Sequence, residues 1–252
     1  YANLDMLVAG MITATLVLLA HSVFLLRNGG CYQTVLAWAY AFAGLGFLAK
    51  GLIGLVLPAL ALLCWLTATR QLKWLPKLLL SVRGWLVLLA LVVPWLWAMQ
   101  QRYPDFFHYF FVVQHFDRFA KTGFNNMHPW WFYPTLLALF LLPFAYSLWR
   151  SIRAGSLNPA TPHADMRWLM WIWAAVIILF FSLPKSKLVG YILPAMLPLV
   201  YLCADALVLR YRARGRGTKR RPSLSRHYRG RVGTVVHHRG TAHHLAVGQS
   251  AR

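Results

Sequence analysis

The sequence predicts an all-α, multi-pass membrane protein, and its composition, its apolar runs and the placement of its charges predict this class. Hydrophobic residues make up 59% of the 252 positions, charged residues only 12%, and the mean hydropathy is +0.52. Soluble domains are more highly charged and less apolar. Cys31, Cys64 and Cys203 have no regular spacing. We interpret them as packing residues rather than as a disulfide framework or a metal pair.

Apolar runs predict about seven membrane spans. A hydrocarbon core of ~30 Å needs about 20 apolar residues in a helix, and about 17 suffice. The runs that meet or approach this length are 5–26, 34–49, 52–67, 84–99, 131–149, 168–183 and 188–209. Only Gly-Lys-Gly around Lys50 divides the second run from the third. We predict a helical hairpin there, because one helix over both runs would be about twice as long as the bilayer is thick.

Lysine and arginine in the short loops predict which helix ends face the cytoplasm. If the spans alternate, Arg27 and the basic residues of segments 70–83 and 150–167 share that side. The opposite face then holds Asp5, Lys50, the segment 100–130 and the Pro-Lys-Ser-Lys turn at 184–187. We predict that this second face is extracytoplasmic, and that residues 103–113 form an amphipathic helix at the membrane interface.

Polar residues of the predicted extracytoplasmic face lie at span ends among aromatic residues, which is typical of a substrate path. We interpret the charges of the other face as generic loop charges. Four cations of the first face, Lys50, Arg118, Lys185 and Lys187, are candidates to bind a lipid-linked phosphate, since lysine offers a point charge and arginine a two-pronged donor. A side chain that simply reaches the membrane surface explains each of them equally well when taken singly.

Three further features of this face have two interpretations each. His115 is a candidate metal ligand or proton carrier, or an interfacial histidine held by hydrogen bonds. Asp5, at the start of an apolar run, is either an acid lining a cavity or a helix cap. The aromatic run 130–133 predicts an interfacial belt that anchors the next span, rather than a catalytic group.

The last part of the chain differs in composition from the rest. Of the 26 Lys and Arg residues, 12 lie in residues 210–252, a segment with no acidic residue. Its many Arg, Gly and His residues and its lack of apolar periodicity predict disorder. We divide the chain into a membrane core, residues 1–209, and this basic tail, 210–252. The tail fits a polybasic segment drawn to anionic lipid or RNA, a solvated end without a specific role, or a frameshifted end.

Five stretches in order carry a resemblance to a known family. They are YANLDMLVAG, GFLAKGLIGLVLPAL, VVPWLWAMQQRYPDFFHYFFVVQHFDRFA, HPWWFYPTLLALFLLPF and FFSLPKSKLVGYILP. Together they resemble the middle of the lipid-linked-sugar glycosyltransferases related to aminoarabinose transferase and protein mannosyltransferases. The resemblance implies a C-type membrane fold in the bacterial inner membrane with a periplasmic active site. It also implies sugar transfer from a polyprenyl-phosphate donor to a lipid A-like or protein acceptor.

The resemblance also implies roles for individual residues. Asp5 is similar to the family's acid at the cavity mouth and Lys50 to the lysine of its Lys-Gly turn. His115 resembles a histidine near a divalent metal ion, which would be Zn²⁺, Mg²⁺ or Mn²⁺. Arg118 resembles the arginine that follows this histidine. Lys187 and Tyr191 fall on the family's Ser-x-Lys-Leu-x-x-Tyr-Ile-Leu signature.

Departures from the family pattern limit these expectations. Gln114 stands where the family has Glu before the histidine, and Val189 replaces a common Pro. The chain starts at Tyr1 without an initiating methionine, and the family's upstream acidic loop and its closing domain have no counterpart in it. We therefore expect a fragment that is inactive by itself and binds no metal tightly.

Two rival functions fit parts of the same pattern. A transporter or flippase of lipid-linked sugars predicts related half-repeats and polar residues near the middle of the membrane. A membrane-anchored RNA-binding protein depends wholly on the tail and predicts salt-sensitive binding. We expect no specific nucleic-acid partner. The sequence also lacks the glycine-rich fingerprint of a nucleotide or nicotinamide site.

Overall fold

The structure is a computed structural model that describes residues 4–117, 127–153, 164–184 and 186–218. The chain divides into two compact units, Tyr1–Ala213 and Arg214–Arg252, and the helical bundle belongs to the first. The all-α prediction is confirmed, because the elements of the described part are helices joined by short turns.

Helices account for most of the described chain. The α-helices are α1 (Asp5–Arg27), α2 (Gln33–Lys50), α3 (Ile53–Ala68), α4 (Leu75–Leu79), α5 (Val82–Arg102), α6 (Phe132–Phe140), α7 (Ala145–Arg153), α8 (Ala164–Ser182) and α9 (Leu193–Thr218). Short 3₁₀ turns cover Leu72–Trp74, Leu142–Phe144 and Val189–Ile192, and a π-helix covers His108–Asp117.

Four stretches of the described residues are long and apolar enough to cross a membrane. They are Asp5–Arg27, Val82–Arg102, Ala164–Ser182 and Val189–Leu209. Each coincides with a predicted span, so the protein is a multi-pass membrane protein. The helix α3 is apolar but shorter. The total of about seven spans stays a prediction.

The hairpin predicted at Lys50 is present. Helix α2 ends at Lys50, and Gly51 follows with φ of 78°, a left-handed backbone conformation that glycine adopts without steric cost. The Gly51 amide closes the helix by donating to the carbonyl of Phe47 at 2.7 Å. Helix α3 then returns beside α2, so Lys50 is fixed at one end of the bundle.

The predicted span 131–149 is not one helix. It divides into α6 and α7, with the 3₁₀ turn Leu142–Phe144 between them. Pro143 lies in this turn, and its missing N–H and fixed φ interrupt a regular helix. The apolar run predicted as a span therefore contains two helices rather than one, because hydropathy does not register where the backbone bends.

The final helix is longer than predicted. It continues through Thr218, whereas an unstructured tail was predicted from residue 210. Residues 210–218 contain no proline, and their Arg and Ala residues favour helix whereas Gly215 and Gly217 do not. The first turns of the tail are thus helical, and residues 219–252 lie outside the described part.

Helices α1, α2 and α3 form the centre of the bundle. Helix α5 packs on α2, and α8 packs on α3. Leu16, Leu36 and Leu57, one from each central helix, are fully buried. Burial of each such side chain contributes about 1.5–3 kcal/mol in water, whereas inside a bilayer close packing contributes more than the exclusion of water does. This packing fixes the ends of α1 and α2, which carry the site.

Candidate functional site

Helix direction brings two opposite charges to one end of the bundle. Asp5 lies in the first turn of α1 and Lys50 in the last turn of α2. The two helices are neighbours and their charged ends meet. An acid at a helix N-terminus and a cation at a C-terminus each interact favourably with the helix dipole. Sequence alternation predicted one shared face, and the structure places the two residues in direct contact.

Asp5 and Lys50 form an ion pair. The Lys50 ammonium donates to the Asp5 carboxylate, whose side chain is only 6% exposed, against 27% for Lys50. Leu4, not Asp5, is the N-cap residue of α1, and no side-chain cap is present there. Asp5 is therefore a buried acid and not the cap of helix α1. A buried carboxylate requires such a partner, because an unpaired charge in this position is costly.

Tyr191 completes the pair from a third element. The Lys50 Nζ lies 4.3 Å from the centroid of the Tyr191 ring, which is within the range of a cation–π interaction. Tyr191 belongs to the 3₁₀ turn Val189–Ile192 before α9. Three predicted site residues, Asp5, Lys50 and Tyr191, thus converge although they are distant in sequence. We call them the Asp5 cluster.

Gly190 determines how close that turn comes to Asp5. A Cβ atom added at this position would lie 2.8 Å from the Asp5 Cγ, closer than two carbon atoms approach without bonding. Any larger residue therefore displaces the carboxylate or the turn. Gly190 was not among the residues predicted from the sequence. Its place directly before Tyr191 in the signature was the available signal.

The space beside the Asp5 cluster is small. A cavity of about 10 Å³ is lined by the cluster together with Ile53, Phe181 and Pro194. This is room for about one water molecule. A larger cavity, of about 520 Å³, lies elsewhere, beside Lys77 and Arg83. Size alone would favour that second cavity, but we place the candidate site at the Asp5 cluster because three site residues meet there.

Lys187 has a different environment from Lys50. Lys187 is 2% exposed, and its ammonium donates to the carbonyls of Pro184 at 2.6 Å and His128 at 2.9 Å. Burial lowers the pKa of Lys187. An antiparallel bridge joins Met127 to Ser186 beside it. In this conformation Lys187 fastens the turn after α8 to the segment before α6.

Tyr133 makes a second contact that holds the same turn in place. It is fully buried, and its hydroxyl donates to the Leu188 carbonyl at 2.9 Å. The prediction of an interfacial belt was therefore wrong for Tyr133, although Trp130 and Trp131 are exposed as expected. The hydrophobic pattern did not separate the one aromatic residue that packs inward. Tyr133 and Lys187 together position the turn that carries Tyr191.

Three predicted site residues have no described side chain. Arg118 and Lys185 lie outside the described residues, and only the backbone of His115 is described, within the π-helix His108–Asp117. The part of the chain that the structure describes contains no group of three His, Cys, Asp or Glu residues able to hold a metal ion. The metal site at His115 therefore stays a prediction.

Two charges at the opposite end of the bundle, Arg27 and Arg167, make specific ion pairs, which corrects the sequence interpretation for these two residues. Arg27 pairs with Asp165. Arg167 is buried and binds Asp205 through two contacts, at 2.6 and 3.2 Å. Because a guanidinium is a two-pronged donor, it suits such a pair. These contacts tie α8 to α1 and α9, away from the Asp5 cluster.

The fold and the site define a multi-pass membrane protein with a paired charge cluster at one end of its helices. Comparisons with known proteins define the family. No family model matches. The chain is 38% identical over 218 residues to the undecaprenyl phosphate-alpha-4-amino-4-deoxy-L-arabinose arabinosyl transferase 1 of Sodalis glossinidius, covering 82% of this chain and 38% of that one. The transferase of Pseudomonas aeruginosa is 34% identical, with 84% and 38% covered.

A solved structure agrees with these relatives. The crystal structure of ArnT from Cupriavidus metallidurans bound to undecaprenyl phosphate matches with a TM-score of 0.66 and 27% identity, over 82% of this chain and 37% of that one. The chain belongs to the family of these aminoarabinose transferases over the region that it matches. It spans about two fifths of the length of these relatives.

Proposed function

We propose that this chain forms the membrane core of a glycosyltransferase that moves a sugar from a polyprenyl-phosphate donor to an acceptor. The names of its relatives specify undecaprenyl phosphate-linked aminoarabinose as their donor. Family membership supports the same donor class here. The acceptor in this proposal is lipid A-like, with a protein acceptor as the alternative that the wider family suggests.

One observation carries the assignment of the site: the ammonium of Lys50 is held between the Asp5 carboxylate and the Tyr191 ring. A lysine ammonium has three N–H groups, and the contact with Asp5 does not use all of them. In the proposed complex a remaining N–H group donates to the phosphate of the lipid-linked sugar. Asp5 and Tyr191 then act as positioning residues, since they restrict the lysine to one arrangement.

Charge development explains what Lys50 contributes to the transfer. When the bond between the sugar and the phosphate breaks, negative charge grows on the phosphate oxygen. A cation positioned beforehand stabilises that charge without rearrangement in the transition state. Arg118 and Lys185 are proposed to contact the same phosphate. Lys187 contributes by holding the turn, because its ammonium already contacts two carbonyls.

The location proposed for the site is the periplasmic side of the bacterial inner membrane. The Lys and Arg bias of the loops supports this orientation. A divalent metal ion near His115 is part of the proposal for a longer enzyme. It would assist by polarising a phosphate oxygen.

A chimeric enzyme tests the proposal. Residues 5–209 replace the matching region of the Sodalis glossinidius relative, and transfer from the undecaprenyl-phosphate-linked sugar to lipid A is measured in nanodiscs. We expect transfer that falls at least tenfold on Lys50→Ala, the loss of one charge-assisted contact. The control is Lys73→Ala, which removes an exposed lysine from the other end. An active chimera in which both variants are equally active would refute the assignment of Lys50.

The transporter alternative has less structural support. Transporters of lipid-linked substrates place their polar site near the middle of the membrane. Here Asp5 and Lys50 occupy helix ends. Transfer without translocation in the chimera distinguishes the two functions.

A further inference from the structure

The cavity beside α4 has no role in the proposed transfer. It has a volume of about 520 Å³, and its lining includes Gln33, Lys77, Leu80, Ser81, Val82 and Arg83. We call these six residues the α4 groove. Gln33 begins α2 whereas Lys50 ends it, so the groove and the Asp5 cluster lie at opposite ends of this helix. The separation along α2 is about 26 Å at 1.5 Å per residue.

Positive charge in the α4 groove is not balanced by an acid. The chain has five acidic residues. Asp5, Asp165 and Asp205 are paired with Lys50, Arg27 and Arg167. The other two, Asp105 and Asp117, follow the far end of α5 in sequence. Within the described residues, therefore, Lys77 and Arg83 face one cavity without a carboxylate partner.

The start of helix α5 adds a favourable electrostatic environment to the groove. Ser81 is buried, caps α5 by accepting from the Gly84 amide at 3.3 Å, and donates to the side-chain oxygen of Gln33 at 3.3 Å, so it holds this helix start in place. The N-terminal end of α5 lies at the groove, and the positive end of a helix dipole favours an anion. With two cations beside it, this combination suits a phosphate group.

The rim of the groove indicates where that phosphate comes from. Leu80 is 77% exposed and Val82 is 70% exposed, on either side of Ser81. Exposed aliphatic side chains beside a phosphate site are unfavourable in water but favourable against acyl chains. Trp85, whose indole donates to the Leu79 carbonyl at 2.7 Å, adds an aromatic residue of the kind that anchors at the membrane interface.

We propose that the α4 groove binds the head group of an anionic phospholipid at the membrane face opposite the Asp5 cluster. The phosphate contacts Lys77 and Arg83, and the acyl chains lie against Leu80 and Val82. Such a site anchors the loop between α3 and α5 in the leaflet that it faces. The proposal is independent of sugar transfer, since it involves no residue of the Asp5 cluster.

The test measures lipid binding to the full chain after delipidation in detergent. Native mass spectrometry records the binding of phosphatidylglycerol and of phosphatidylcholine to the unaltered chain, to Lys77→Gln/Arg83→Gln and to Arg70→Gln/Lys73→Gln. The second double variant is the matched control, because it removes two cations from the same loop outside the groove lining. The basic tail is present in all three proteins, so its contribution cancels.

We expect tighter binding of phosphatidylglycerol than of phosphatidylcholine, reduced at least about tenfold in Lys77→Gln/Arg83→Gln and little changed in the control. Equal losses in both double variants would overturn the proposal in favour of general surface charge. Displacement of phosphatidylglycerol by millimolar inorganic phosphate would overturn the lipid assignment in favour of a soluble anion. Melting temperatures in detergent verify that both variants are folded, as the exposure of all four side chains predicts.

Discussion

The Lys50 ammonium lies 4.3 Å from the centroid of the Tyr191 ring while it pairs with Asp5. Three elements therefore meet in one contact: the start of α1, the end of α2 and the turn before α9. A charge held from two sides has little freedom to rotate. This restriction is the physical basis for treating Lys50 as a prepositioned phosphate ligand rather than as a lysine extending into solvent.

The ring of Tyr191, not its hydroxyl, is predicted to matter for this restriction. In the chimeric enzyme Tyr191→Phe should retain donor binding, because the π face remains. Tyr191→Leu removes a contact of about 0.5–2 kcal/mol, which corresponds to a roughly twofold to thirtyfold higher KM for the donor. Steady-state kinetics at limiting donor measures the difference. If Tyr191→Phe and Tyr191→Leu had the same KM for the donor, the cation–π contact would have no functional role.

Gly190 is predicted to be required for its lack of a side chain. In Gly190→Ala the new Cβ meets the Asp5 carboxylate, so the Asp5–Lys50 pair separates or the turn shifts. We expect at least a tenfold loss of transfer, since a small misplacement of a charged ligand is costly. Gly10→Ala in α1 is the control, because a Cβ there meets nothing within 4 Å. A fully active Gly190→Ala enzyme would show that the turn adapts without cost.

Lys187 is predicted to make stability depend on pH. Burial lowers its pKa in the folded protein below the ordinary value of 10.5. The unfolded chain then binds more protons between the two values, so the stability contributed by this residue rises with pH in that window. Below the folded pKa the penalty for burying the charge is present in full.

The measurement for Lys187 compares unfolding in detergent for the unaltered chain and Lys187→Met. The free energy of unfolding of the unaltered chain should rise relative to that of Lys187→Met as pH rises from about 8 toward the ordinary lysine pKa. Lys73→Met controls for the loss of one lysine. A difference that stays constant or moves the other way would contradict the burial effect on the pKa.

Much of the bundle could be predicted from local sequence, whereas side-chain direction could not. Apolar runs located α1 and α2 closely, and Gly51 indicated the hairpin after Lys50. Hydropathy failed at Tyr133, because an apolar helix in a membrane does not reveal which of its faces meets protein and which meets lipid. It also failed at the turn around Pro143, where the run is continuous but the helix is not.

The candidate site, too, was predictable in its residues but not in their contacts. Alternation of spans placed Asp5 and Lys50 on one face, the family signature added Tyr191, and the three residues meet there. Their direct contacts depend on Gly190, whose importance follows from a three-dimensional approach. Lys187 resembled the other cations in sequence, but its environment is one of carbonyl oxygens. Charge type was predictable from the sequence, and the partner of each charge was not.

Orientation in the membrane is predicted by the Lys and Arg bias. In a variant without native cysteines, Lys50→Cys should react with a membrane-impermeant thiol reagent in intact cells, as should cysteines placed at 125 and 185. Lys73→Cys and Arg153→Cys should react only after lysis. Removal of the native cysteines is necessary because Cys31 is exposed. Labelling at 73 combined with protection at 125 would reverse the orientation and move the Asp5 cluster to the cytoplasmic side.

The metal prediction concerns His115 and its neighbours. A divalent ion needs several oxygen or nitrogen ligands, and Gln114 is a neutral residue where the family has Glu. We therefore expect elemental analysis of the present chain to show no tightly bound metal. In the chimeric enzyme, where further ligands come from the relative, His115→Ala and a chelator should each reduce transfer. Restoring the family residue with Gln114→Glu should raise the affinity for the metal.

A structural histidine gives the opposite pattern. In that case His115→Ala lowers the melting temperature in detergent, and the chelator leaves the chimeric enzyme unchanged. Transfer, melting temperature and metal content measured on the same preparations separate the two. The decisive combination is His115→Ala with chelator: if both act on one metal ion, adding the chelator to the variant has no further effect. Independent, additive losses would instead place the metal elsewhere and remove His115 from the candidate ligands.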